Sequence, residues 1–130
     1  MKRLLWMAVV TASLLTARVS SAGFKSDSQV YVSTASTIAI GAMGSARAAA
    51  DATQYIGCIN EGYSTGTQYI LCFARNSAGA YGSCTSSDPR LISAAASITS
   101  SSFLEFAWNS AGTCTFLEVM DTSYFPPVVP

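Results

Sequence analysis

The chain has 130 residues, seven basic and seven acidic side chains, no histidine, and a hydrophobic half. That length suits a single domain. The missing histidine removes Ser-His-Asp and Cys-His nucleophilic pairs, the commonest general base and every histidine-ligated metal. Without a basic cluster there is also no electrostatic drive toward nucleic acid or an anionic membrane.

Lys2 and Arg3 precede an apolar run from Leu4 to Leu15, and Ser20 and Ala22 form a small-residue site before Gly23. This is the pattern of a secretory signal peptide. The run is too short for a permanent helical span, which needs about 20 apolar residues. The expectation is a signal peptide over 1–22, cleavage after Ala22, and an exported chain, periplasmic or secreted, with no membrane span. Without Lys2, Arg3 and Arg18 it carries a mild net negative charge.

A single domain is expected over 23–123. Val30 to Ile40 is rich in Val, Ile and Thr and predicts one strand. In Gly41 to Ala52, alanines favour a helical turn and glycines oppose it. Thr53 to Asn60, Thr67 to Ala74 and Ala80 to Thr85 read as three strands. Between them, Tyr63-Ser64-Thr65-Gly66 and Asn76-Ser77-Ala78-Gly79 suit type I turns that end on a left-handed glycine. Asp88-Pro89 starts a helix, with Asp88 as cap and Pro89 in the first turn. Leu91, Ile92, Ala95 and Ile98 would share its apolar face. Phe103 to Asn109 and Thr113 to Met120 form a last hairpin around Asn109-Ser110-Ala111-Gly112. The Pro-rich tail, 124–130, should be extended or disordered. The fold class is α+β: an antiparallel β-meander with one short helix packed on the sheet and two disulfides. A small β-sandwich is the alternative if the helix is a loop.

Cys58, Cys72, Cys84 and Cys114 read as two disulfides in an exported chain. No close cysteine pair suggests zinc, and no metal or cofactor is expected. The turns fix the register. They place Cys58 opposite Cys72 and Cys72 opposite Cys84, in one row. Cys58 and Cys84 would then flank a central strand about 10 Å apart, beyond the reach of a disulfide. Two connectivities remain: Cys58–Cys72 with Cys84–Cys114, which is preferred, or Cys72–Cys84 with Cys58–Cys114.

The same register puts Tyr55, Arg75 and Tyr81 in a row on the face opposite the cysteines. Phe73, Tyr69, Ile59 and Leu71 share that face. Ordinary burial preferences make it the core side, with Arg75 at the rim. If it is exposed instead, the aromatic–guanidinium row could hold a sugar ring or a partner peptide. In the last hairpin, Trp108 would face Cys114, Phe106 would face Phe116, and Glu118 would face Leu104. Glu105 and Glu118 would then point to opposite sides, which disfavours a two-carboxylate glycosidase.

Tyr55-Ile56-Gly57-Cys58, Cys72-Phe73-Ala74, Asn76-Ser77-Ala78-Gly79, Cys84, Phe106 and Gly112-Thr113-Cys114-Thr115 resemble a group of short exported bacterial proteins of unknown function. The resemblance spans about 45–126. It implies a four-cysteine framework and an envelope or secreted location, and carries no activity. The expected function is a non-enzymatic binding or inhibitor module for an unknown protein or glycan outside the cytosol. A structural or surface-assembly protein is the alternative, followed by a small carboxylate-dependent hydrolase.

Overall fold

The computed structural model describes residues 25–128. The expected signal peptide and cleavage site over 1–22 lie outside them. Among the described residues, seven strands and two short helices follow in order. They are β1 (Tyr31–Ser33), β2 (Ile38–Ala42), α1 (Met43–Ala48), β3 (Tyr55–Gly62), β4 (Gln68–Arg75), β5 (Tyr81–Ser86), α2 (Pro89–Ala95), β6 (Ser102–Trp108) and β7 (Cys114–Asp121). Two antiparallel sheets form, in the orders β1-β2-β6-β7 and β3-β4-β5. Their inner faces enclose one hydrophobic cluster. The class is α+β, mostly β, with two disulfides.

The single strand expected over Val30 to Ile40 is instead a hairpin. Its turn contains Thr37 at φ 50°, and the Ser33 hydroxyl accepts from the Ser36 amide at 3.1 Å. Small hydroxylated residues can bond their own backbone and so bend a β-branched run. This hairpin is what creates the second sheet. β2 pairs with β6, setting Ala39 beside Phe106 and Gly41 beside Leu104.

The later hairpins close on glycine. Gly66, Gly79 and Gly112 have φ of 90°, 86° and 74°, a region that costs glycine nothing. The asparagine at two of these turns has a physical role. Asn76 Oδ1 accepts from the Ala80 amide at 2.9 Å. Asn109 Oδ1 accepts from the Ala111 and Thr113 amides, each at 3.0 Å. The side chain thus satisfies donors that the loop would leave open.

In the three-stranded sheet Cys58 faces Cys72, and Cys72 faces Cys84. Cys58 is bonded to Cys72, with Cα atoms 4.0 Å apart. Cys84 is bonded to Cys114 across a Cα distance of 5.0 Å. The first bond lies within one sheet, and the second ties β5 of one sheet to β7 of the other. The inner row Val32, Ala39, Phe106 and Leu117 meets Ile56, Ile70, Cys72 and Ala74 in the core. Gly82 has no room for a side chain, because the Trp108 ring occupies the place of its Cβ.

The β6–β7 register departs from the expected one. Trp108 faces Cys114, but Ala107 faces Phe116 and Phe106 faces Leu117. Thr115 is the extra residue of a β-bulge, which turns every later residue of β7 to the other face.

Helix α2 begins as expected and ends at Ala95, short of Ile98. The Asp88 side chain accepts from the Arg90 amide at 2.9 Å and pairs with the Arg90 guanidinium at 2.7 Å. These bonds, the guanidinium first, hold the Asp88 carboxyl down at about 2. Its folded-state pKa is depressed, so its contribution is present above the unfolded value near 4 and is lost as pH falls through about 2. A thermal titration of the chain and of Asp88→Asn checks this. The wild type should melt higher at pH 6, and the gap should close between about pH 4 and pH 2. A gap independent of pH would assign the effect to something other than this charge.

The Pro-rich tail is docked on the domain as far as Val128. Phe125 stacks on Phe103 at 4.9 Å. The Ser26 amide donates to the Tyr124 carbonyl at 2.9 Å, and the Val128 amide donates to the Ser100 carbonyl at 2.6 Å. Gly44 of α1 lies against the Pro126 backbone, where a Cβ would collide.

Candidate functional site

The cysteine face points inward, so the row of Tyr55, Arg75 and Tyr81 points outward. The expectation that this face is the core is corrected. The core side carries Ile56, Ile70, Cys72, Ala74 and Cys84, all buried. Small inner residues leave space that Phe106 and Trp108 of the facing sheet fill. The rings are 5.7 Å apart, and they cover the inner surface as Leu71 and Ile59 cannot from the outer side.

Tyr55 and Tyr81 are 40% and 49% exposed, and Arg75 between them is exposed. Both tyrosines face Arg75 directly, one across each strand pair. Tyr55 meets Phe73 edge-on at 5.9 Å. The guanidinium lies alongside Gly79 of the 76–79 turn. Among the described residues no hydrogen bond or ion pair engages it; the ion pair they do contain is Arg90–Asp88. Its donors are thus open to solvent beside the 76–79 turn, with Tyr55 and Tyr81 at the facing strand positions.

The far end of this face holds a group that the sequence reading missed. Tyr69 and Tyr63 donate to Glu61 Oε2 at 2.7 and 2.8 Å, and their rings stack at 6.0 Å. Glu61 faces Tyr69 across β3–β4, and the turn brings Tyr63 beside them. The Tyr69 hydroxyl, then that of Tyr63, lowers the Glu61 pKa. The Tyr69 pKa is raised, by Tyr63 first and then Glu61. Glu61 is therefore held ionised, the wrong direction for a general acid near neutrality. Glu-x-Tyr before a hairpin glycine was the available sequence signal.

The four-stranded sheet also has an outer face. Tyr31, Ile40, Glu105 and Glu118 form one row across it, and Ile38, Ala107 and Phe116 form the next. The expected divergence of Glu105 and Glu118 is corrected: the bulge brings them directly opposite each other. Like charges in facing positions are destabilising. Among the described residues neither carboxylate has a hydrogen bond or ion pair to offset this. Both are half-buried, and the next row on that side, Phe103 and Met120, is covered by Phe125 and Tyr124 of the docked tail.

A cleft of about 640 Å³ lies between the start of the described chain and the docked tail. Lys25, Asp27, Ser45, Tyr124 and Pro126 line it. Asp27 is held below the usual carboxylate range, by Ser45 first and then Gln29. No group of three or more potential metal ligands occurs among the described residues. Nor is any helix among them long and apolar enough to cross a membrane. Comparisons with family models, curated proteins and solved structures find no match.

Proposed function

We propose that this chain is an exported, non-catalytic recognition module that binds a protein or glycan outside the cytosol through the outer face of β3-β4-β5. The observation that carries this reading is the exposed Tyr55–Arg75–Tyr81 row, with its unpaired guanidinium. Tyrosine and arginine give large contact area and strong directional bonds, and they recur as interface anchors. Six backbone-paired residue positions link β4 to β5, and eight link β3 to β4. That rigid platform lowers the ordering cost of binding. Two disulfides favour an oxidising compartment, periplasmic or secreted, reached by cleavage after Ala22.

The test uses the mature chain and its Arg75→Ala variant as paired baits against an envelope extract. A partner held by the wild type should be weakened by more than about 1 kcal/mol in the variant. Its thermal midpoint should not move, because the exposed guanidinium contributes nothing to the core. Binding unchanged by Arg75→Ala and by Tyr81→Ala would remove the row from the reading. Turnover abolished by Glu105→Gln or Glu118→Gln would replace binding with carboxylate catalysis.

A further inference from the structure

We propose that the partner of this row is a second copy of the same chain. The outer face of β3-β4-β5 in one molecule docks on the outer face of β1-β2-β6-β7 in the next, with Arg75 against the Glu105–Glu118 pair. This inference rests on the reading of the Tyr55–Arg75–Tyr81 row as a binding surface.

Charge complementarity picks the occupant. One outer face carries an unpartnered guanidinium flanked by Tyr55 and Tyr81. The other carries two unpartnered carboxylates in facing positions, with Ile40 beside Glu105 and Tyr31 beyond it in the same row. The carboxylates repel each other in the free molecule. A guanidinium has five donors in a fixed plane and can bond both at once. The surroundings match as well. Exposed Ile59, Tyr55 and Tyr81 on one face would meet exposed Tyr31 and Phe116 on the other.

The topology then fixes the mode of assembly. The two faces lie on opposite sides of one core, so each molecule offers one donor face and one acceptor face. Such a contact is heterologous, and it continues head to tail unless the rotation closes a ring. Its strength follows from size. β3 and β4 have eight residues each, so the face of their sheet is about 27 Å by 14 Å at ordinary strand dimensions. Two such faces bury about 800 Å², below the roughly 1,000 Å² of a stable specific interface. The contact is therefore weak, concentration-dependent and screened by salt.

Sedimentation velocity on the purified exported chain tests this across a concentration series. The wild type should show a weight-average coefficient that climbs past the dimer value and falls back in high salt. Arg75→Ala should stay monomeric, and so should Glu105→Lys/Glu118→Lys, with circular dichroism and disulfide content unchanged in both. Each variant keeps one intact face. An equimolar mixture should therefore recover association but stop at the dimer. A monomeric wild type throughout the series overturns the proposal, and so does a mixture that stays monomeric or variants that still associate. Should the wild type stay monomeric while Arg75→Ala still releases a foreign partner, this inference alone fails. If Arg75 affects neither readout, the recognition reading fails with it.

Discussion

Replacing Cys84 and Cys114 together by alanine is expected to lower the unfolding free energy by about 3.5–4 kcal/mol by chain-entropy arithmetic. The bond closes 30 positions of sequence. It also fastens β5 of one sheet to β7 of the other, where the backbone contributes a single bridge between Thr85 and Thr113. The Cys58–Cys72 bond closes only 14 positions and cross-links two strands already paired along their whole length. Its removal should cost about 3 kcal/mol by the same arithmetic. Doubling the loop adds about 0.6 kcal/mol, and the weak backbone link between the sheets widens the difference. Both losses are large beside a typical domain stability of about 5–15 kcal/mol. Denaturant midpoints of the two alanine pairs, measured without reductant, decide the order. A larger loss for the Cys58/Cys72 pair would show that the sheets are held together by their packing rather than by the bond.

Local chemistry was legible in the sequence wherever a turn residue had one physical solution. Asn and Gly three positions apart fixed the β4–β5 register, and Tyr63 to Gly66 fixed that of β3–β4. From those two turns the cysteine row followed by counting. Asp88-Pro89 fixed the start of α2. What was not legible depends on distant partners. Val30 to Ile40 looks like a strand by composition, and its division into β1 and β2 gains meaning only when β2 finds β6, more than 60 positions away. The division into two sheets follows from that pairing.

The bulge at Thr115 is the more instructive miss. An unbroken count from the Asn109 turn set Glu118 beside Leu104, on the face that also holds Phe106. Leu104 and Phe106 are fully buried, so that register would have put a carboxylate in the core without a partner. Burying an unpaired charge is too costly to accept. The alternation of Leu117 and Val119 inward with Glu118 and Met120 outward was the signal for one extra residue. The orientation of the three-stranded sheet departs from ordinary burial preferences for a related reason. Leu71 and Ile59 outweigh Ala74 and Gly82 on any residue scale, but the facing sheet supplies Phe106 and Trp108 to the inner side. Bulk on one layer requires smallness on the other. The row of disulfide cysteines, with Cys72 and Cys84 buried in it, marks the correct face.

Phe106→Ala should be among the most damaging single substitutions in this chain, costing about 3–5 kcal/mol. Phe106 is 0% exposed and is packed against the Trp108 ring. Ala39 and Leu117 flank it on the neighbouring strands. Those strands are held by backbone ladders and cannot collapse into the vacated space, so the cavity should remain largely open. Loss of Phe106 also frees Trp108 to move from Gly82, where its ring occupies the place of a side chain. Phe116 is the matched control. An unbulged β7 would set it beside Phe106 in the core, and its removal would then cost nearly as much. In the bulged register it is 43% exposed and lies outside, next to Ala107. Phe116→Ala should therefore lower stability by about 1 kcal/mol or less, in proportion to the small apolar area it covers. Denaturant unfolding of the two variants compares them directly. Equal losses would return Thr115 to the ladder, turn Glu118 inward and separate the two carboxylates that the bulge brings together.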